Sequence, residues 1–176
     1  FMNRRHLVAG LAGIGLTGGS LWVVRGNTAT GSDELSLTVE TIDAPGSTAG
    51  SITLPVADTP TLIDCFATWC DPCIEQLPTL QTLHDEFGEQ VAFVSVTNEL
   101  IGRGTSKAAL RRWWETHGGA WPVGIDRDGA VLDALGAGRI PYLAVVDETG
   151  TIRWTDSGSF DTASLREQLA AVAESA

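Results

Sequence analysis

Apolar and polar residues alternate along LSLTVETI (35–42), the period-2 pattern of a strand with one face on a core. A turn-forming stretch, APGSTAG, separates it from SITLPV (51–56), so the two read as a β-hairpin. TLIDCFA (61–67) is nearly continuous in apolar character and suits a strand buried on both faces. From Cys70 the period changes to that of a helix. Ile74, Leu77, Leu80 and Phe87 fall on one side, Gly88 stops it, and Pro78 should kink it by removing a backbone donor. VAFVSVT (91–97) predicts the next strand, and SKAALRRWWETHG (106–118) a helix opened by Ser106 and closed by Gly118. A short helix near Ala130–Leu135 precedes the strand YLAVVD (142–147). A turn at ETG then leads into TIRWT (151–155). The last helix, 161–175, starts at Asp161 and carries Leu165, Leu169 and Val172 at i, i+4 and i+7. Helices between parallel strands, closed by a hairpin and a helix, give an α/β class with a mixed central sheet flanked by helices.

Composition narrows the function classes. The chain has 176 residues, 43% of them apolar, enough for one domain with a core plus additional sequence. Its net charge of −11 argues against nucleic acid as a partner, because phosphate binding needs clustered Lys and Arg. Lys107 is the single lysine, and a surface rich in acid and poor in lysine points to a high-salt setting. Three cysteines leave one over from any pairing, so a disulfide-stapled scaffold is not expected.

Residues 1–25 read as a targeting segment, with 26–32 a short flexible linker and 33–176 the folded domain. Arg4 and Arg5 precede an uncharged, glycine-rich run from Leu7 to Val24. The pattern Arg-Arg-His-Leu-Val resembles a twin-arginine export signal, and as a helix the run is just short of a bilayer core of about 30 Å. Basic residues before the run place that end in the cytoplasm and the domain outside. The expectation is an extracytoplasmic protein anchored in the membrane through its N-terminus, with cleavage and secretion as the alternative. Omitting residues 1–30 removes Arg4, Arg5 and Arg25 and no acid, so the remainder carries a net charge of −14.

The chemistry concentrates in FATWCDPCIEQLP (66–78). Two cysteines two residues apart fit a metal clamp, a structural staple or a redox centre. Cys70 sits where a buried strand gives way to a helix, and the unpaired amides and dipole of a helix start stabilise an anion there. A thiolate at Cys70 is favoured for that reason, and the thiolate is the nucleophile of disulfide exchange. Pro72 lies in the first turn, where a missing N–H costs little. Cys73, one turn on, is close enough to form a disulfide and to resolve a mixed disulfide made at Cys70. Asp71 disfavours the thiolate and turns the pair toward reduction or exchange rather than strong oxidation.

LIDCFATWCDPCIEQLP together with IPYLAVVDETGTI resembles the thioredoxin superfamily, and more narrowly its exported TlpA/ResA type, over roughly residues 33–175. The resemblance implies a thioredoxin fold with an N-terminal β-hairpin extension. It implies Cys70 as nucleophile, Cys73 as resolving thiol, and no cofactor beyond the Cys70–Cys73 disulfide. It also implies a cis peptide at Ile140–Pro141 gripping substrate backbone, and Trp69 shielding the redox centre. Asp64 matches the buried acid that exchanges a proton with the resolving cysteine. Implied partners are disulfide-containing exported proteins and a membrane or soluble thiol donor, with cytochrome c maturation as one pathway and oxidative folding as the alternative direction. The chain departs from that pattern at three places. Gln76 stands where the subgroup usually has Glu, Tyr142 replaces a Thr after the cis-proline, and Cys65 replaces an aromatic.

Rival readings have less behind them. The lone Cys-x-x-Cys lacks a second pair, and His6, His84 and His117 are scattered, so a metal carrier or binding module is disfavoured and no metal ligands are assigned. Ala67 occupies the position where peroxide-cleaving relatives carry Thr. Cys65 reads as inert packing and His84 as a solvated helix residue; Trp113, Trp114 and Trp121 invite a substrate groove, but Trp113 or Trp114 reads as packing the helix onto the sheet, and Trp154 as packing.

Overall fold

The computed structural model describes residues 34–158 and 160–175; the targeting segment and the linker lie outside them. Among the described residues seven strands and four helices follow one another as β1 (Leu37–Thr41), β2 (Gly50–Leu54), β3 (Thr61–Phe66), α1 (Asp71–Phe87) and β4 (Ala92–Thr97). Then come α2 (Lys107–Thr116), β5 (Val123–Ile125), α3 (Ala130–Leu135), β6 (Tyr142–Val146), β7 (Ile152–Ser157) and α4 (Thr162–Ala173). One sheet holds every strand in the order β2-β1-β5-β4-β3-β6-β7. β3 runs parallel to β4 and β4 to β5, while β1–β2, β1–β5, β3–β6 and β6–β7 pair antiparallel. Among the described residues no helix is long and apolar enough to cross a membrane.

β3 lies inside the sheet between β4 and β6, and all six of its residues are buried, as its nearly unbroken apolar run predicts. Strand alternation divides it between two cores. Leu62 and Phe66 join Leu77, Leu80 and Leu83 of α1, Leu110 and Trp114 of α2, and Leu165, Leu169 and Val172 of α4. Ile63 and Cys65 point the other way, into a cluster with Val131 and Leu135 of α3, Val94, Val96, Ala144 and Val146. Removing a leucine side chain of this kind from water contributes about 1.5–3 kcal/mol.

β5 was not expected from the sequence. Its three residues show no periodicity, and its existence depends on neighbours: Thr97 pairs with Ile125 on one side and Glu40 with Ile125 on the other. The helix ends match their signals more closely. The Ser106 hydroxyl accepts from Ala109 N at 3.1 Å and the Asp161 carboxylate from Ser164 N at 3.0 Å, each satisfying an amide of the first turn. α1 continues through Pro78 for 17 residues, with Thr82 Oγ1 donating to the Pro78 carbonyl. Its buried face is Cys73, Gln76, Leu77, Leu80 and Leu83, so a glutamine occupies a place that the apolar pattern had assigned to none of its residues.

Trp114 is a fully buried packing residue, in accord with the reading of its helix, and Trp121, between α2 and β5, is buried as well. The Trp114 indole donates to the Pro45 carbonyl at 3.1 Å. Gly119 makes room for that indole, since a Cβ there would lie 2.0 Å from it. His84 differs from expectation. It is half-buried, with its ring 5.1 Å from Phe93 and 5.2 Å from Trp121, because the face of α1 that carries it turns toward β4.

Candidate active site

The strand β3 ends at Phe66, and the chain turns through Ala67–Trp69 into Cys70, the N-cap of α1. Cys70 keeps an extended backbone (φ −94°, ψ 99°), and its amide donates to the Ala67 carbonyl at 3.1 Å. Cys70 and Cys73 form a disulfide with their Cα atoms 5.2 Å apart. The Cys73 amide donates to Cys70 Sγ at 3.2 Å as well as to the Cys70 carbonyl at 3.0 Å, so an N–H of the helix start is shared with this sulfur. Such a contact lowers the free energy of a thiolate at Cys70 more than that of a thiol. Cys70 is 5% exposed and Cys73 1%, so an incoming sulfur meets Cys70 first.

An acid downstream holds this turn in place. Glu99 accepts from Thr68 N at 2.8 Å through Oε2 and from Thr68 Oγ1 at 2.7 Å through Oε1. Thr97 Oγ1 adds a third donor at 3.1 Å. Three donors on one carboxylate tie the loop after β4 to the residue two before Cys70. Charge-assisted bonds of this type contribute about 1.5–3 kcal/mol each. Trp69, next in sequence, is 71% exposed, and Leu100, next to Glu99, is 62% exposed. They share a shallow concavity of about 470 Å³ with Asn98, Glu99, Arg103 and Gly104. Sequence reasoning missed Glu99 and Leu100, because only the parallel pairing of β3 with β4 brings residues 31 apart together.

Asp64 occupies the middle of β3 and faces the α1 side with Leu62 and Phe66. Ser95 Oγ donates to its Oδ2 at 2.7 Å and Gln76 Nε2 to its Oδ1 at 2.8 Å. The Trp121 indole N–H in turn donates to Ser95 Oγ at 2.9 Å. Complete burial raises the Asp64 pKa to about 7, against the opposing pull of the Ser95 and Gln76 hydrogen bonds. Ser95 and Trp121 are further members of the site that the sequence did not mark, and Gln76, marked only as a departure from the family pattern, joins them.

The Ile140–Pro141 peptide is cis. Tyr142 pairs with Cys65, so Pro141 lies at the end of the sheet from which β3 leads to Cys70. The Pro141 carbonyl accepts from Gly158 N at 2.9 Å. Gly158 and Phe160 share a concavity of about 220 Å³ with the α1 residues Pro72, Glu75, Gln76 and Thr79. A second cis peptide, Leu54–Pro55, had no sequence signal. The third cysteine, Cys65, is free and buried on the opposite face of the sheet. Burial, with Asp64 and Asp126 nearby, pushes its thiol far up, which removes the thiolate needed for exchange. Among the described residues no three His, Cys, Asp or Glu side chains cluster as metal ligands do.

A mixed sheet between helices, with a Cys-x-x-Cys disulfide at the first turn of α1, defines the thioredoxin-like class. The crystal structure of StoA from Bacillus subtilis superposes with a TM-score of 0.63 at 21% identity, covering 78% of this chain and 98% of that one. The family model described as Redoxin matches residues 39–172, and the chain belongs to that family. Among curated proteins it is 24% identical over 62% of its length to the thiol-disulfide oxidoreductase ResA of Geobacillus thermodenitrificans, and 26% identical over 61% to the thioredoxin-like protein YneN of Bacillus subtilis. The matches span 61% and 62% of the lengths of those relatives.

Proposed function

We propose that this protein is an extracytoplasmic thiol-disulfide oxidoreductase that reduces or exchanges disulfides in exported proteins. The observation that carries the reading is the Cys73 amide donating to Cys70 Sγ at the start of α1, with Cys70 the more exposed residue of the disulfide. Curated relatives named thiol-disulfide oxidoreductases support it.

In the working cycle a dithiol donor, membrane-bound or soluble, first delivers two electrons to the Cys70–Cys73 disulfide. The Cys70 thiolate then attacks one sulfur of the client disulfide. The client S–S bond breaks, the leaving sulfur takes up a proton, and a mixed disulfide joins client and Cys70. Cys73 loses its proton to Asp64 and attacks Cys70 Sγ, which expels the second client thiol and restores the oxidised pair. A carboxylate with a pKa of about 7 is matched to that transfer near neutral pH. Trp69, Pro72, Ile140 and Pro141 form the surface on which client backbone is held around the disulfide. Cytochrome c maturation is the pathway this chemistry would serve, with the N-terminal segment as the membrane tether.

Insulin reduction driven by a dithiol tests the reading. Cys70→Ser should fall to background, and Cys73→Ser should accumulate a mixed disulfide with the client. Undiminished turnover by Cys70→Ser would sink it.

A further inference from the structure

The hydrogen-bond chain around Asp64 has a fixed direction at one end and an unmet need at the other. An indole N–H can only donate, so Trp121 occupies a lone pair of Ser95 Oγ and the single Ser95 proton is left for Asp64 Oδ2. Protonating Oδ2 would strand that hydroxyl proton with no acceptor. Oδ1 is therefore where a proton arrives. Oδ1 already faces the Gln76 amide nitrogen, a donor, and a newly protonated Oδ1 would set donor against donor. Gln76 Oε1, the other end of the same amide, is buried and has no hydrogen-bond partner. Buried polar atoms are normally paired, and this orphan needs a reason.

We propose that Gln76 is a positioning residue whose amide turns over with each proton Asp64 takes up or releases. With Asp64 ionised, Nε2 donates to Oδ1; with Asp64 protonated, the side chain rotates by half a turn and Oε1 accepts the new proton. The terminal torsion of a glutamine is broad and roughly two-fold, so orientations half a turn apart are both allowed. The amide thus serves both charge states of the acid, which a carboxylate at position 76 could not do without its own titration. Gln76 also lines the concavity shared with Pro72 and Phe160, so the network reaches the surface beside the disulfide through this side chain.

The surroundings leave the exchange to these groups. The other titratable residues on the packed elements are Cys65 on β3, Cys73, Glu75 and His84 on α1 with the exposed Asp71, Asp85 and Glu86, Tyr142 on β6 and Asp126 after β5. None of them hydrogen-bonds Asp64. This inference rests on Asp64 as the proton acceptor of the proposed cycle.

The test is an NMR titration of the labelled full chain between pH 5 and 9, with the disulfide intact so that Cys70 and Cys73 do not titrate. The Asp64 carboxyl carbon should titrate near pH 7, and the Gln76 Nε2 protons should move with the same midpoint while the Trp121 indole proton stays in place. Asp64→Asn should abolish the Gln76 response. Gln76→Met should raise the Asp64 midpoint by about one unit, because the charged form loses the stronger bond, and shift the pH profile of insulin reduction equally. An Asp64 titration that leaves the Gln76 amide still, or moves the Trp121 indole instead, overturns the proposal. The underlying role of Asp64 fails separately, if Asp64→Asn leaves the pH profile of turnover unchanged.

Discussion

Replacing Asp64 by Asn should stabilise the folded protein, and only above acid pH. In the folded state the carboxyl titrates near 7, against 3.8 for an unperturbed aspartate. The folded form therefore holds its proton more tightly than the unfolded one. Its contribution is fully present below about pH 4 and declines as pH rises to about 7, after which it is constant. The gap of roughly 3 units corresponds to about 4 kcal/mol, a ceiling because a buried carboxylate relaxes its surroundings. Asparagine has no charge to bury, and it fits the site. Its Oδ1 can accept from Ser95, and its Nδ2 can donate to the otherwise orphaned Gln76 Oε1 once that amide turns over. Urea unfolding of both proteins, disulfide intact, should give equal stability near pH 4 and a lead of about 2–4 kcal/mol for Asp64→Asn at pH 8. Asp147 is also buried, but hydrogen bonds from Thr149, Thr151 and Arg153 outweigh that burial and hold its pKa down, so it loses stability as pH falls. It does so in both proteins and cancels from the difference. A lead that is flat across this range would refute burial as the origin of the Asp64 shift.

Three other outcomes test separate parts of the structure. Glu99→Ala should cost about 2–4 kcal/mol in urea unfolding and change the fluorescence of the exposed Trp69, since Thr68 loses both of its bonds to the carboxylate. Cys65 should resist alkylation in the native protein with the disulfide intact and react at the rate of global unfolding, as its burial requires. Rapid native labelling would contradict its placement. Gly119→Ala should lower stability by about 1–3 kcal/mol on thermal melting, because the added methyl meets the ring of Trp114.

What the sequence revealed depended on whether the information was local. The β3 apolar run, the Ser106 and Asp161 caps and the Cys70 helix start are each written within a few residues, and the structure has them where the patterns lie. β5 was invisible because three residues carry no period, and it becomes a strand only through β4 and β1. The Glu99 clamp and the Ser95–Asp64–Gln76 chain were invisible for the same reason at longer range. Each joins residues brought together by parallel pairing or by helix packing. Gln76 had been noticed only as a departure from a family pattern. Its burial follows from its place beside Leu77 and Cys73 on α1, which the apolar spacing of Ile74, Leu77 and Leu80 had placed slightly to one side.

The alternation of β3 sorts the chemistry of the domain. Cys65 and Asp64 are adjacent in sequence, yet the pleat sends one into the α3 cluster and the other toward α1. A one-residue slip of β3 would exchange them, placing a thiol in the polar network with Ser95 and Gln76 and a carboxyl among Val94, Val131 and Ala144. The second arrangement buries an ionisable group with no hydrogen-bond donor to meet it, at a cost of several kcal/mol. Asp64 therefore favours this register of β3, because only here does its carboxylate meet hydrogen-bond donors. The bond from Ser95 on β4, the strand paired with β3, and that from Gln76 on α1 mean that the same carboxylate bears on both register and helix position. The placement of the disulfide follows from it, because Cys70 starts the helix that Gln76 ties to β3.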